Sequence, residues 1–283
     1  MSTRIVRRAL AVAVSLVTLA AAAGCSSGGE VNPSPSVVPG ATPGGSLRIG
    51  ISFDQPGLGL KDGNSYTGFD VDTATYVAKS LGVQPDKITW IEADPGNRES
   101  LLTSGAVDLV LSTYSITPER EKIVDFAGPY FEAHQDLLVR RNEDEITGPE
   151  TLGGRVLCSV PGTTSAALVK EKFKGQITLK EYSKFSDCVA ALDRSEVDAV
   201  TTDDVILAGF AAEPQYKGKL KVVGKGFSDE LYGVGIKKGD TQLVDKVNEA
   251  LKAYIADGSW KASLDANVRP SGYKIPAPPT PGS

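Results

Sequence analysis

Residues 102–110 read LTSGAVDLV, and residues 192–200 read LDRSEVDAV. Both segments have the form of a helix end, a turn and a short apolar strand, with Val-Asp at the same offset. Each then runs into a polar loop, at residues 112–115 and 201–204. Because open α/β sheets bind ligands beyond the carboxyl ends of their strands, this weak repeat favours two related lobes with a ligand cleft between them. Chance similarity is the alternative, since Val-Asp after a helix is common in α/β proteins.

Short apolar runs alternate with helical patterns through the rest of the chain, which indicates an α/β architecture with largely parallel sheets. The predicted strands span residues 47–51, 88–92, 107–111, 137–140, 156–159, 177–179, 197–200, 220–223 and 233–236. The predicted helices span residues 71–80, 98–103, 165–173, 186–193, 204–212 and 241–257. The last helix has the clearest apolar stripe, and Gly258 is expected to end it.

The amino-terminal segment has a different composition from the rest of the chain. Three arginines precede an apolar run at residues 9–23, which is too short to span ~30 Å of hydrocarbon but is typical of a secretory signal. The run ends at Ala22-Ala23-Gly24-Cys25, which resembles a bacterial lipobox with Ala22 in place of the commoner Leu. We therefore expect a signal peptide over residues 1–24 and lipidation of Cys25, with plain secretory cleavage as the alternative.

Two segments are too poor in apolar residues to form a core. Residues 25–45 are rich in Ser, Gly and Pro, which predicts a disordered tether that holds a domain away from the membrane. Residues 275–283 are Pro-rich and predict a disordered tail.

Charge and cysteine usage exclude several classes of function. The formal net charge of −5 would become −8 on loss of residues 1–24, which argues against nucleic acid as a partner. Cys158 and Cys188 form an even pair in an exported chain, and we expect a disulfide and not two free thiols. His134 is the only histidine and no CxxC or HExxH spacing occurs, so we expect no metal site and no Ser-His-Asp or Cys-His apparatus. We also expect no cofactor. A structural role is expected for His134.

Eight short motifs occur in one order along residues 47–267. They lie at residues 66–72 (YTGFDVD), 108–120 (DLVLSTYSITPER), 124–126, 129–130, 152–157 (LGGRVL), 161–165 (PGTTS), 197–200 (VDAV) and 232–235 (YGVG). Together they resemble the polar amino-acid solute-binding proteins of ABC importers, solute-binding family 3. Residues 53–61, 148–150 and 201–209 are similar to the glutamate-binding lipoproteins of actinobacteria.

This resemblance implies a two-lobed periplasmic-binding-protein-like fold, in which each lobe is a mostly parallel sheet flanked by helices. It implies a first lobe from residues 46–138 and 229–274, a second lobe from residues 139–228, and a hinge at residues 136–141 and 227–235. The implied function is non-catalytic. A lipid-anchored monomer on the extracytoplasmic face of the cell membrane captures a free L-amino acid and delivers it to an ABC permease.

Glutamate is the expected ligand, with aspartate, glutamine and asparagine as alternatives. Two other functions share the architecture: a sensor that reports ligand to a membrane receptor, and a dehydratase that uses a carboxylate in the cleft as general acid. A glutamate in the cleft loops would favour the dehydratase.

A cleft that desolvates a free amino acid must pair both of its backbone charges. Arg120 fits the α-carboxylate, because it lies in the first turn of a helix predicted to start at Pro118, where the dipole disfavours an unpaired cation. The resemblance assigns the α-carboxylate to Arg120 and the α-ammonium to Asp203, whose alternative role is a helix N-cap. Thr113 and Ser115 could offer main-chain groups and hydroxyls to both charges.

The remaining candidates are less specific by composition. Thr163 and Thr164 lie on a strand-to-helix turn, and the family pattern makes this turn a second carboxylate clamp. An acidic side chain needs a further cation, and we expect Lys61 or Arg98 to supply it. The alternative for Lys61 is a solvated lysine on a Gly-rich loop.

Overall fold

The computed structural model describes residues 45–282. The predicted signal peptide, Cys25 and nearly all of the predicted tether lie outside these residues. Within the described part, no helix is long and apolar enough to cross a bilayer.

The chain alternates strands and helices, as predicted. The first stretch contains β1 (Leu47–Ile51), β2 (Asp54–Gln55), β3 (Gly59–Asp62), β4 (Ser65–Thr67), α1 (Phe69–Ser80), β5 (Ile88–Glu92), α2 (Arg98–Thr103), β6 (Leu109–Val110), α3 (Pro118–Glu121) and β7 (Val124–Ala133). The middle stretch contains β8 (Gln135–Arg140), β9 (Val156–Ser159), α4 (Thr164–Lys172), β10 (Thr178–Glu181), α5 (Phe185–Asp193), β11 (Ala199–Asp203), α6 (Asp204–Ala212) and β12 (Leu220–Val222). The last stretch contains β13 (Glu230–Lys237), α7 (Thr241–Ala256) and α8 (Ser259–Asn267). Short 3₁₀ turns lie at Pro85–Lys87, Pro149–Thr151 and Arg269–Ser271.

Two five-stranded sheets have the same topology. Their strand orders are β5-β1-β6-β13-β7 and β10-β9-β11-β8-β12. In each sheet the first three strands are parallel, the fourth is antiparallel to both of its neighbours, and the fifth runs in the direction of the first three. Two of the four pairings in each sheet are therefore antiparallel, which is more than the apolar runs predicted. We call the first sheet with α1–α3, α7, α8 and the small sheet β2-β3-β4 the first lobe, and the second sheet with α4–α6 the second lobe.

The internal repeat occupies the same place in both sheets. Its strands, β6 and β11, each lie between a parallel and an antiparallel neighbour. The carboxylate of Asp108 accepts the backbone N–H of Arg48 at 2.8 Å, and that of Asp198 accepts the N–H of Val156 at 2.8 Å. The two Val-Asp motifs therefore anchor equivalent neighbouring strands, and the repeat is structural.

The chain crosses between the lobes twice. The first crossing is at His134, between β7 and β8, so the second sheet begins a few residues before the expected boundary at residue 139. The second crossing lies between β12 and β13. The two crossings bond to each other, since the Phe227 N–H donates to the Gln135 carbonyl at 3.0 Å and the Gln135 N–H donates to the Ser228 hydroxyl at 3.1 Å.

Helix α7 packs its predicted apolar stripe into the core of the first lobe. Leu243, Val247, Leu251 and Tyr254 are buried, while the two outer members of the stripe are partly buried. Gly258 ends the helix region in the left-handed conformation (φ 84°), which glycine adopts without a steric penalty. The predicted helix end is confirmed.

Several elements differ from the prediction. The small sheet was missed because its strands are only two to four residues long. Strand β7 was missed because it contains Gly128-Pro129, a pair typical of turns. The expectation of a disordered tail does not hold for residues 275–282. Ile275 packs against the core, and the Gly282 N–H donates to the Gly128 carbonyl at 2.7 Å. One backbone hydrogen bond and one core contact therefore hold the two ends of a Pro-rich segment whose composition alone predicts disorder.

Cys158 on β9 and Cys188 on α5 form the expected disulfide, and both are fully buried. The bridge closes a loop with a sequence separation of 30 residues, which in the chain-entropy model stabilises the fold by about 3–4 kcal/mol.

We expect the Cys158→Ala/Cys188→Ala variant to lose about this free energy of unfolding in urea titrations. Wild type in reductant is the control that separates the crosslink from packing of the sulfur atoms. Two free thiols in unreduced, denatured protein would contradict the prediction.

Candidate ligand-binding site

A narrow cavity lies between the two lobes, where the loops after β6 and β11 face each other. Its space is at most about 260 Å³ with the open mouth included, which is too small for a peptide of several residues. The cavity is lined by Gln55, Pro95, Arg98, Thr113, Ser115, Arg120, Thr163, Thr164, Ser165, Phe185, Thr202, Asp203 and Ile206. Seven of the eight ligand-binding residues predicted from the sequence line this cavity, all except Lys61.

 

Arg120 lies at the start of α3 and points its guanidinium into the cavity wall. Thr117 caps the helix by accepting the Arg120 N–H at 3.2 Å. The side chain is buried and donates to the Ser115 carbonyl at 2.7 Å and, across the cleft, to the Gly162 carbonyl at 3.0 Å. Its Nε lies 3.6 Å from the Glu99 carboxylate. Arg120 can therefore turn donors toward an anionic ligand while its position is held by the first lobe.

Arg98, the first residue of α2, is 2% exposed and forms no ion pair with any residue that the structure describes. Its guanidinium donates only to backbone carbonyls, those of Ser112 at 3.0 Å, Thr113 at 3.4 Å and Gly162 at 3.3 Å. The Nε atom is buried without a hydrogen-bond partner in the described structure. Burial, and secondarily the charge of Arg120, lowers the pKa of Arg98 to about 10, so the group is still a cation at neutral pH. A buried cation with a free donor favours an anionic ligand group.

Tyr114 holds the two arginines side by side. Its ring centroid lies 4.3 Å from the guanidinium carbon of Arg98 and 5.1 Å from that of Arg120, within cation–π range. The Tyr114 hydroxyl donates to Glu99 at 2.7 Å, which fixes the ring. Sequence reasoning did not assign this role to Tyr114, although its position between Thr113 and Ser115 places it in the same loop.

Asp203 ends β11 and precedes α6, but its side chain does not cap that helix. One carboxylate oxygen accepts the Tyr232 hydroxyl at 2.6 Å, and the other is buried without a hydrogen-bond partner in the described structure. Burial, and secondarily the charge of Glu230, raises the pKa of Asp203 to about 8. An ammonium group in the cavity would satisfy the free oxygen and favour the charged form of the carboxylate.

Thr113 adopts a left-handed backbone (φ 43°), which is rare for a β-branched residue. The buried carboxylate of Asp70 accepts its N–H at 2.9 Å and the Tyr130 hydroxyl at 2.8 Å, while the Gln55 amide bonds the Thr113 hydroxyl at 3.0 Å. Burial raises the pKa of Asp70 to about 6. Asp70 thus positions the loop and does not line the cavity. Its Gly-Phe-Asp motif was recognised in the sequence, but this contact could not be inferred from it.

The opposite wall comes from the turn into α4. Thr163 caps the helix by accepting the Ala166 N–H at 3.0 Å, and the Thr164 hydroxyl donates to Glu230 at 2.9 Å. Ser165 is fully buried, and its hydroxyl has no partner in the described structure. Ser165 was not among the predicted ligand-binding residues, yet it offers the cavity a free donor on this side.

Two residues singled out in the sequence lie elsewhere. Lys61 is exposed on β3, where its ammonium lies 4.9 Å from the ring centroid of Phe53, so the structure does not bring it to the cavity. His134 lies at the first crossing, and its Nδ1 is 2.7 Å from the Ser228 carbonyl. The side-chain atoms of Glu132, His134 and Asp229 that could bind a metal ion lie within 4.8 Å of one another. This group lies on the surface near the first crossing, away from the cavity.

The charges of the cavity match a small molecule with two anionic groups and one cationic group. Among the described residues that line it, Arg98 and Arg120 are cations and Asp203 is the one acid. Phe185 and Ile206 add apolar surface, which fits a short aliphatic linker between the charges. None of the lining residues is a glutamate, the residue that would have favoured a dehydratase.

Comparison with known proteins identifies the family of this chain. The model of the bacterial extracellular solute-binding proteins, family 3, matches residues 47–267. The glutamate-binding protein GluB of Corynebacterium glutamicum is 42% identical over 269 residues, which cover 91% of this chain and 88% of that protein. The glutamine-binding protein GlnH of the Bacillus subtilis ABC transporter is 35% identical over 217 residues, covering 76% and 78%.

Among solved structures, an ancestral arginine-binding protein bound to arginine has a TM-score of 0.74 and 34% sequence identity. It covers 80% of this chain and 99% of its own. The family resemblance and the two-lobed fold expected from the sequence are thereby confirmed. The chain belongs to the bacterial extracellular solute-binding proteins, family 3.

Proposed function

We propose that this protein captures free L-glutamate between its lobes and delivers it to an ABC permease. Arg120 pairs with the α-carboxylate, Asp203 with the α-ammonium and Arg98 with the side-chain carboxylate. Ser115, Thr163 and Thr164 complete the polar wall, and Ser165 adds a donor. Family membership gives an extracytoplasmic location.

The observation that carries the proposal is the arginine pair. Two guanidinium groups lie on one tyrosine ring, and only one carboxylate lines the same cavity in the described structure. Glutamate supplies two carboxylates and one ammonium, so it balances every charge, whereas glutamine leaves Arg98 without a counter-charge. The name of GluB agrees with this choice, and that of GlnH marks glutamine as the competitor.

The proposal is for a binding protein and not an enzyme. The relatives are named as binding proteins, and the cavity offers no glutamate as general acid. A sensory role would use the same ligand-bound form and can coexist with transport.

A thermal-shift screen with the twenty common free L-amino acids tests the proposal. Ligand that binds only the folded state raises the midpoint of unfolding with its concentration. We expect the largest rise with glutamate. No rise with any amino acid would refute the proposed function, and a largest rise with arginine or glutamine would refute the ligand assignment.

We further propose that Cys25 carries a lipid that anchors the protein to the membrane. The basis is the basic start, the apolar run and the small residues before Cys25. Cys25→Ala is expected to abolish incorporation of labelled fatty acid and to release the protein into the medium, whereas Cys158→Ala leaves labelling intact. Unchanged membrane retention of Cys25→Ala would contradict the anchor.

A further inference from the structure

Segment Asp54–Gln55 of the first lobe, with the adjoining Pro56, contacts two helices of the second lobe. Asp54, Pro56 and their partners on those helices do not line the cavity. These contacts exist only when the lobes are closed, so they can affect ligand affinity without touching the ligand.

Helix α5 lacks an N-cap of its own. Its N-cap position is Lys184, whose side chain makes no capping bond. Instead the Asp54 carboxylate of the first lobe accepts the Ser186 N–H at 3.0 Å, which is the bond that an N-cap side chain supplies. Lys184 in turn pairs with Glu92 of the first lobe at 2.7 Å. The start of α5 is therefore capped across the cleft.

Helix α6 carries a glycine, Gly209, in its interior, where glycine weakens a helix. A Cβ atom built on Gly209 would lie 2.2 Å from the Pro56 carbonyl oxygen. Gly209 has no left-handed φ, so close approach of the first lobe, and not backbone conformation, explains the glycine. Separation of the lobes would relieve this clash.

We propose that Asp54 and Gly209 form a closing device that sets the balance between open and closed lobes, and thereby the affinity for every ligand alike. The inference rests on the proposed function, because it concerns closure of the same cleft. Asp54 and Gly209, at the rim of the cleft, would then control affinity without contacting the ligand.

Titration calorimetry with L-glutamate and L-glutamine tests the device. Gly209→Ala is expected to weaken both ligands by the same factor, about 5- to 150-fold, as expected for overpacking. Gly153→Ala is the matched control, since its Cβ meets nothing within 4 Å and its φ is not left-handed. The ligand-free unfolding midpoint of Gly209→Ala should not fall, because alanine favours the helix.

Asp54→Ala is expected to weaken both ligands about 2- to 30-fold, and Asp54→Asn should restore most of the affinity, because asparagine caps helices nearly as well as aspartate. Affinities equal to wild type in Gly209→Ala and Asp54→Ala would overturn the device, as would losses that differ between the two ligands. If wild type bound neither ligand, the proposed ligands would fail, and the same variants would be titrated with whichever amino acid raises the unfolding midpoint of wild type. Equal affinity of Gly209→Ala and wild type for that amino acid would then overturn the device.

Discussion

In Arg98→Met, the dissociation constant for glutamate is expected to rise by about two to four decades. The dissociation constant for glutamine is expected to change about tenfold or less. Loss of one partner of a buried charge pair costs about 3–5 kcal/mol, because the other charge stays desolvated. Glutamine presents a neutral amide in place of the carboxylate. Its loss of affinity in Arg98→Met therefore reflects only the hydrogen bonds that Arg98 makes to backbone carbonyls. Calorimetric titration of both ligands measures the difference.

Lys61→Met is the matched control, because it removes the other cation that the sequence offered for this role. Lys61 is exposed and outside the cavity, so both ligands should bind as they do to wild type. Equal losses for glutamate and glutamine in Arg98→Met would rule out a charge-reading role. A loss of glutamate affinity in Lys61→Met alone would instead support the prediction that Lys61 pairs with the side-chain carboxylate.

Arg120→Ala and Asp203→Ala are each expected to lower the affinity for every amino acid by similar factors, about two to four decades. Both residues act on groups that all free amino acids share, so the ratio of glutamate to glutamine affinity should change little. Titration of both ligands checks this, with Lys122→Ala as a control on an exposed cation beside Arg120. If either variant binds within a few-fold of wild type, that residue does not pair with the ligand.

The α/β pattern was predictable because buried strands and amphipathic helices leave periodic signals. Strands β1, β5 and β9 and helices α2 and α6 begin and end where the apolar pattern placed them. The small sheet and β7 left no such signal. Their order depends on contacts with the rest of the molecule, which no local pattern contains.

The site was predictable where one residue carries a charge that its local position does not explain. Arg98 is the first residue of α2 and Arg120 lies in the first turn of α3, where a cation is unfavourable without an anionic partner. Lys61 showed no such conflict, and the structure leaves it outside the cavity. The roles of Tyr114, Asp70 and Ser165 were not predictable, because each depends on a partner distant in sequence or on the depth of burial.

Calorimetric titration of wild-type protein, freed of bound ligand by unfolding and refolding, with L-glutamate and L-glutamine tests the central claim most directly. The charge balance of Arg98, Arg120 and Asp203 predicts one site per chain and tighter binding of glutamate than of glutamine. Tighter binding of glutamine, or no binding of either amino acid, would contradict it.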